Sequence, residues 1–364
     1  MPTSNTRCIL SCDGGGIRGL ITAVMLEHLE AKLKEQNPQT PLKDYFDLIA
    51  GTSTGSIIAC GVAKGYTATY IREFYIKEGL VIFPKFHKVA EMWLNRVRLG
   101  FSQPVYDGKG LEEVLQRASV FGSILFKDLP PTLITSYDTY NRQSVVMVNT
   151  KFAYAHIPVW EACRASAAAP TAFPAHLMSE PNFIAALEQK GCAIPLNARG
   201  QKAIPLIDGG IFANNPALCA VIDRLRWNDK PAGSDLTVAS FGTGQNVKEI
   251  GLDAAREWGA LEWLSPRKGI PLLDTLFDGS SDVVDHAIQG LLPECNYFRF
   301  QPTLEADLPP FQAGTNNLSR MIEAGDRYLN QPHVEQKLNQ LAALLLSHQS
   351  AQAAVPLTAA VLQD

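Results

Sequence analysis

Near its N-terminus the chain repeats one local pattern twice: a short apolar run, a glycine-rich turn, and then apolar residues at helical spacing. The first copy joins the run Arg7–Cys12 to the turn DGGGIRG at residues 13–19. The second joins residues 45–50 to the turn GTSTG at residues 51–55 and to a helix predicted to end near Gly65. Continuous apolar runs of this length are typical of strands that are buried on both faces. The pattern therefore predicts two strand–turn–helix units that share one buried sheet.

Further apolar runs extend this alternation along the chain. They predict strands at residues 132–136, 144–148, 204–207 and 236–241, with helical stretches between them. With 46% apolar and 19% charged residues, the 364-residue chain has ordinary globular usage, which excludes long disorder and collagen-like repeats. We expect an α/β fold with three layers, α/β/α, around a central and mostly parallel sheet.

The charge and hydropathy of the chain limit which partners and which cellular location it can have. The 32 Lys and Arg against 36 Asp and Glu give a net charge of −4, too mild to predict a nucleic-acid polymer as partner. No apolar run approaches the roughly 20 residues that span a bilayer, and the polar first residues resemble no secretory signal. Seven scattered cysteines without a C-x-x-C pair indicate neither a zinc site nor a disulfide framework. These features predict a cytoplasmic protein with at most peripheral membrane contact.

One region interrupts the alternation and differs in charge from the rest of the chain. Residues 84–109 hold five Lys and Arg against two acidic residues, interleaved with Phe86, Trp93 and Phe101. Cations and aromatics together are typical of a cap that faces a membrane, where they meet anionic headgroups and the interface. The alternative interpretation is an amphipathic helix whose aromatic side chains lie in the core. The pattern leaves both interpretations open.

The turn GTSTG fits the pattern G-x-S-x-G and has the context that this pattern requires, an apolar strand before it and an apolar helix after it. Gly51 and Gly55 let the backbone turn sharply, so that Ser53 is held exposed above the sheet as a nucleophile for acyl transfer. The alternative is a Thr- and Ser-rich turn that only caps the helix. The strand and helix context favours the nucleophile.

The glycine turn at residues 13–19 also satisfies G-x-G-x-x-G, the pattern of a dinucleotide site. That site needs an acidic residue at the end of the second strand, whereas the second strand here ends in Ala50 and runs into the serine turn. No Lys-Ser or Lys-Thr pair follows the glycines, so a Walker-type phosphate loop is unsupported. The remaining role is an oxyanion hole, in which backbone amides at a helix N-terminus stabilise a tetrahedral intermediate. Arg18 would stabilise this loop or attract a phosphate headgroup.

An activated serine needs a base, and the sequence offers two kinds. In α/β-hydrolases the histidine follows the serine and the acidic residue in the chain, so the candidates are the histidines downstream of the later motifs: His286, His333 and His348. None of them lies at the glycine-marked end of a strand, which favours surface or core positions for all three. Asp208 directly follows an apolar run, at the end of a strand where the ligand crevices of open α/β sheets lie. Burial would raise the pKa of Asp208 towards neutrality and let it take the Ser53 proton; the alternative is a carboxylate that only caps an Asp-Gly turn.

Three motifs in chain order make the sequence resemble the patatin-like phospholipase family: DGGGIRG at residues 13–19, GTSTG at 51–55 and DGG at 208–210. Two further stretches agree with the family, ACRASAAAPTAFP at residues 162–174 and NNPA at 214–217. The resemblance covers about residues 8–244. It implies the patatin-like form of the α/β/α fold and the hydrolysis of acyl esters in membrane lipids, without a metal or other cofactor.

The resemblance also implies roles for individual residues. Ser53 is the nucleophile that forms an acyl intermediate, and Asp208 is its base in a dyad without histidine. The amides of the glycine loop form the oxyanion hole with Arg18 beside them: Gly14, Gly15 and Gly16. The remaining motif glycines shape the turns, Gly51 and Gly55 at the nucleophile and Gly209 and Gly210 in the DGG motif. We expect Ser166 and Thr171, within the stretch 162–174, to be packing residues.

Several points stay hypotheses at this stage. The same dyad would also serve an acyltransferase or a carboxylesterase that acts on soluble esters. A non-catalytic binding module is disfavoured by the joint presence of Ser53, Asp208 and the glycine loop. Some bacterial relatives that resemble this chain are dormant effectors activated by a cyclic nucleotide, which is a further hypothesis here. We predict a catalytic domain at about residues 1–250 and a mostly helical part at 251–364 that packs on it; the sequence indicates no oligomeric state.

Overall fold

The computed structural model describes residues 6–84, 104–227, 229, 231–246, 249–265, 271–305 and 308–353. Most of the basic region predicted as a cap, residues 85–103, lies outside the described residues. Within the described ranges, no helix combines the length and the apolar character needed to cross a membrane.

Ten strands and fourteen α-helices lie in the described part of the chain. The strands are β1 (Arg7–Cys12), β2 (Leu48–Thr52), β3 (Thr132–Asp138), β4 (Gln143–Val148), β5 (His176–Met178), β6 (Ile204–Asp208), β7 (Leu236–Phe241), β8 (Gln245–Asn246), β9 (Tyr297–Phe300) and β10 (Thr303–Leu304). The helices are α1 (Gly19–Lys34), α2 (Thr54–Lys64), α3 (Ala68–Ile82), α4 (Lys109–Gln116), α5 (Phe152–Ala155), α6 (Val159–Ser166), α7 (Pro181–Gln189), α8 (Gly210–Ala213), α9 (Ala217–Leu225), α10 (Leu252–Glu257), α11 (Ala260–Trp263), α12 (Pro271–Leu291), α13 (Thr315–Leu329) and α14 (Pro332–Ala353).

Eight of these strands form the central sheet, in the order β5-β6-β3-β2-β1-β7-β9 with β4 paired to β3. Five neighbouring strands, β3, β2, β1, β7 and β9, run parallel. Strands β4, β5 and β6 pair antiparallel at one side. The prediction of an α/β fold with a mostly parallel central sheet is therefore confirmed.

Helices cover both faces of this sheet, and the side chains of β1 alternate between them. Cys8, Leu10 and Cys12 join the apolar cluster that holds α1 and α2, whereas Ile9 joins the cluster on the opposite face with α9 and α12. This alternation follows from the two-residue period of a strand. Both faces are apolar because both are covered, which explains why the strands appear in the sequence as continuous apolar runs.

The ends of β2 and β6 meet head-on beside β3. Thr52, the last residue of β2, pairs with Thr135, and Asp208, the last residue of β6, pairs with Ser136. Because β4 occupies the other edge of β3, β2 and β6 share one edge and run towards each other along it. The register alone therefore brings the residue after Thr52 close to Asp208.

The structure differs from the sequence-based expectation at several strands. The strand predicted at residues 45–50 begins only at Leu48, because Leu42–Tyr45 forms a 3-10 turn and the Asp47 carboxylate accepts a hydrogen bond from the Cys8 N–H, at 2.7 Å. Strands β5, β8, β9 and β10 were not predicted. Beyond residue 251, β9 extends the central sheet at β7, and α13 packs on α1; the proposed domain boundary near residue 250 stays a prediction.

Candidate active site

Ser53 lies in a strained turn between β2 and α2. Its φ of 53° and ψ of −126° are a conformation that residues other than glycine rarely adopt, as expected for a nucleophile elbow. A Cβ on Gly51 would lie 2.2 Å from the Gly55 carbonyl oxygen, and a Cβ on Gly55 would lie 2.1 Å from the Cys12 carbonyl oxygen. Both glycines are therefore needed for the close approach of α2 to β2 and β1.

Ser53 is only 6% exposed, so the prediction of an exposed serine is wrong for this conformation. The glycine loop after β1 packs over it: a Cβ on Gly14 would lie 3.1 Å from the Ser53 Cβ. The Gly14 N–H donates to the Asn214 carbonyl at 3.0 Å, whereas the N–H groups of Gly15 and Gly16 have no partner among the described residues. The amides of Gly15 and Gly16 are thus the ones available to an oxyanion beside Ser53.

Arg18 ends the 3-10 turn that follows these glycines and is 5% exposed. Its Nε atom makes no hydrogen bond within the described ranges. Burial raises the pKa of the Asp278 carboxyl on α12, and Arg18 opposes this shift, which indicates that the two side chains lie near each other. Arg18 is therefore a buried cation whose charge acts on a carboxyl group of a distant helix.

Asp208, at the end of β6, is completely buried. Its Oδ1 accepts a hydrogen bond from the Gly210 N–H at 2.7 Å, and its Oδ2 has no partner at hydrogen-bonding distance in the described part of the chain. Burial raises the pKa of this carboxyl to about 7, opposed by the neighbouring Ser53 side chain and by the Gly210 N–H. Ser53 therefore faces a carboxyl group that titrates near neutral pH.

Comparison with known proteins gives the same assignment as the motifs. The family model described as "Patatin-like phospholipase" matches residues 10–221, which is more than half of the chain. The chain belongs to the patatin-like phospholipase family. "Patatin-like protein 2" of Arabidopsis thaliana is 32% identical over 90% of this chain and 84% of its own length. "Probable inactive patatin-3-Kuras 1" of Solanum tuberosum is 30% identical over 88% of this chain and 86% of its own.

Among solved structures, that of VipD from Legionella pneumophila is 12% identical, covers 96% of this chain and 74% of that chain, and has a TM-score of 0.35. Membership of the patatin-like phospholipase family confirms the resemblance and supports a lipid hydrolase. Because one relative carries the word "inactive" in its name, family membership leaves catalysis to be argued from the residues of the site.

One short segment of this patatin-like chain holds the backbones of both candidate catalytic residues. The Ser166 hydroxyl, at the end of α6, accepts a hydrogen bond from the Ser53 N–H at 2.8 Å. Two residues later, the Ala168 carbonyl accepts one from the Asp208 N–H at 3.0 Å. Ser166 is completely buried, whereas Thr171 is exposed. Both residues are predicted from the sequence to be packing residues. The structure identifies Ser166 as a residue that positions Ser53.

A second contribution that the sequence analysis missed comes from β9, beyond the residues that the family model matches. Arg299 donates to Asp13 at 2.7 Å and lies 3.2 Å from Asp285 on α12. Its guanidinium also donates to the Ser240 hydroxyl at 3.0 Å. Asp13 opens the glycine loop, so this buried network connects the loop to β7, β9 and α12. The only signal in the sequence is a charged residue inside the aromatic run YFRF.

The histidines lie where the sequence analysis expected them. His286 on α12 and His333 on α14 are exposed. His348 is 2% exposed, and its Nε2 lies 3.0 Å from the Asp47 carboxylate. His348 is thus a core histidine with an acidic partner, and Asp208 remains the candidate base for Ser53.

Proposed function

We propose that the chain hydrolyses acyl esters of membrane lipids with Ser53 as nucleophile and Asp208 as base. One observation carries this proposal: a serine in a strained turn faces a fully buried carboxyl group whose Oδ2 lacks a normal hydrogen bond. Asp208 also has no cationic partner among the described residues, and a base must keep one oxygen free for the incoming proton.

The first half of the reaction acylates the serine. Asp208 takes the proton of the Ser53 hydroxyl as its oxygen attacks the carbonyl carbon of the ester. The amides of Gly15 and Gly16 donate hydrogen bonds to the resulting oxyanion. When the tetrahedral intermediate collapses, the proton on Asp208 passes to the leaving alcohol, and the acyl group stays on Ser53.

The second half returns the free enzyme. Asp208 takes a proton from a water molecule, whose oxygen attacks the acyl-Ser53 carbonyl carbon. Collapse of this second intermediate releases the fatty acid and returns the proton to the Ser53 oxygen. A pKa of about 7 suits Asp208 to both directions of proton transfer near neutral pH.

The decisive experiment compares the wild-type chain with Ser53→Ala and Asp208→Ala on phospholipid vesicles, with mass spectrometry of the products. We expect free fatty acid from the wild type and a loss of turnover of at least about a thousandfold in either variant. His286→Ala is the matched control, because this exposed histidine should leave turnover unchanged. A comparable loss in His286→Ala with an intact fold would mean a triad and would contradict the dyad.

The same products distinguish the alternative reactions. Acyl groups that appear on an added alcohol or amine would indicate an acyltransferase. Turnover of a water-soluble ester without any release of fatty acid from vesicles would indicate a carboxylesterase. If the wild type hydrolyses none of these esters, with or without an added activator, the hydrolase proposal is contradicted.

From the family resemblance, we further propose that a cyclic nucleotide activates the chain. Cyclic di- and trinucleotides would be screened for a rise in melting temperature and in vesicle hydrolysis, with Ser53→Ala as the inactive control. An activating ligand should raise the melting temperature of both chains, because it binds only the folded state. A screen in which no compound changes either quantity would remove the idea.

A further inference from the structure

Residues 251–265 lie on the surface of the protein although they are rich in large apolar side chains. None of these fifteen residues is buried. Leu252 on α10 is 87% exposed, Leu261 on α11 is 72% exposed, and Leu264 is 43% exposed. Trp258 and Trp263 meet edge-on with their ring centroids 5.5 Å apart. Because these leucines contribute so little to the core, they indicate that the segment contacts a partner at the protein surface.

Helix α12 continues this surface with a second apolar stripe. Its first apolar side faces the core through Leu273, Phe277 and the buried residues that follow them at helical spacing. Leu272, Leu276 and Val283 form a separate stripe at i, i+4 and i+11 on the outer side, and they are 40%, 43% and 66% exposed. Since α11 packs against α12, we treat five exposed residues as one apolar surface: Leu261, Leu264, Leu272, Leu276 and Val283.

The inner side of α12 touches the candidate active site. A Cβ on Gly210 would lie 2.8 Å from the Phe277 ring, and the Asn214 side chain donates to the Ser281 hydroxyl at 3.3 Å. The helix that carries three of the five residues of the apolar surface therefore also packs on the turn that follows Asp208. A partner that covers the outer side of α12 lies one helix away from the reacting groups.

Charge selects among the partners that an apolar surface fits. Residues 251–291 hold seven Asp and Glu against three Lys and Arg, a net charge of −4, and α12 itself has no cation. Two copies joined through this surface would bring like charges together, and an anionic membrane would repel it. A zwitterionic bilayer offers apolar contact without that electrostatic cost.

We propose that the apolar surface of α11 and α12 inserts into a zwitterionic lipid bilayer and brings the active site to its substrate. The proposal rests on the lipid hydrolase function proposed above. It differs from the cap predicted at residues 84–109, whose basic residues would select anionic headgroups.

The test measures binding of full-length chains to phosphatidylcholine vesicles by co-sedimentation, in a Ser53→Ala background so that no lipid is consumed. Two double variants, Leu261→Gln with Leu264→Gln and Leu276→Gln with Val283→Gln, should each weaken binding about tenfold or more, since each removes two apolar side chains from the contact. The matched control replaces Phe152 and Leu196, which are 72% and 65% exposed outside this surface, by Gln. The control should bind like its parent.

A second readout separates this proposal from the proposed function. With Ser53 restored, the double variants should hydrolyse vesicle lipid more slowly and a water-soluble short-chain ester at the wild-type rate. If the wild type hydrolyses neither substrate, the proposed function fails while vesicle binding still tests the surface. Equal vesicle binding by all variants would overturn the inference.

Two further results would also overturn it. Binding that increases with the anionic lipid content of the vesicles would assign membrane contact to a basic region instead. A concentration-dependent dimer in sedimentation velocity that the double variants abolish would assign the surface to a second copy of the chain.

Discussion

Asp13 and Asp208 are two aspartates in matching positions with different surroundings. Asp13 follows β1 directly and Asp208 ends β6, and both are essentially unexposed. Burial is the largest influence on both and raises the pKa of Asp13 to about 6 and that of Asp208 to about 7. The two carboxyl groups thus experience the same kind of desolvation.

The difference lies in the partner that each carboxyl meets. Asp13 pairs with the Arg299 guanidinium at 2.7 Å, which opposes the effect of burial on its pKa. Asp208 has no cation in the described part of the chain and faces a serine hydroxyl and the N–H of its own turn. Burial alone therefore makes a carboxyl group a candidate base, whereas a buried cation beside it turns the same residue type into a structural group.

The largest expected effect is on turnover. Asp208→Asn should lower kcat on a soluble ester by about a thousandfold, because the amide is unable to take the Ser53 proton. Asp13→Asn should lose much less, since Asp13 acts only through the position of the glycine loop. Equal losses in the two variants would mean that both carboxyl groups take part in the reaction.

The next effect is on stability, and the two variants should differ in size. The pKa of Asp208 in the folded state is above its ordinary value of 3.8, so the folded protein binds more protons and stability falls as the pH rises from about 4 to about 7. Asp208→Asn removes this penalty and should stabilise the protein at pH ~8 by about 1–3 kcal/mol, a gain that disappears near pH ~4.

Asp13→Asn should give a smaller gain at pH ~8 than Asp208→Asn. The pKa of Asp13 is raised only to about 6, and the neutral variant leaves the buried Arg299 with Asp285 as its remaining acidic partner. Urea unfolding of the three chains at both pH values measures these differences. An equal or larger gain in Asp13→Asn would contradict the distinction between a carboxyl paired with a cation and one without.

A smaller effect on turnover is expected in the segment that holds the backbones of Ser53 and Asp208. Ser166→Ala leaves the buried Ser53 N–H without its acceptor, so kcat should fall roughly tenfold to a hundredfold with little change in KM. If the Ser53 hydroxyl moves away from Asp208, the acid limb of the pH–rate profile should also move to higher pH. Thr171→Ala, in the same stretch but exposed, is the control and should change neither. An unchanged profile and kcat in Ser166→Ala would reduce Ser166 to a packing residue.

The smallest effect concerns the wild-type pH profile. The base must be ionised, so kcat/KM should rise about tenfold per pH unit below the pKa of Asp208 and level off above a pH of about 7. The pKa of Asp13 is lower, about 6, and Asp13 takes no part in the reaction, so its titration should add no second limb of the same slope to the profile. A single limb near pH ~4 would mean that Asp208 is more hydrated than its burial implies.

The parts of the fold that depend on local chemistry could be predicted from the amino-acid sequence. Apolar runs predicted β1, β3, β4, β6 and β7, because a strand that is covered on both faces needs apolar side chains at every position. Glycines marked the tight turns, because a Cβ at Gly51 or Gly55 would collide with backbone atoms. Ser53 and Asp208 could be selected for the same reason, since each stands at the end of such a run.

How these local units meet depends on contacts between distant parts of the chain. The register that opposes the ends of β2 and β6 joins residues more than 150 positions apart, and no local pattern encodes it. Ser166 and Arg299 act through single hydrogen bonds to Ser53 and Asp13, and apart from the charge inside YFRF their neighbours in the chain indicate neither contact. Apolar periodicity reports which side of an element is buried, whereas hydrogen-bond partners and pKa values depend on which distant side chain arrives there.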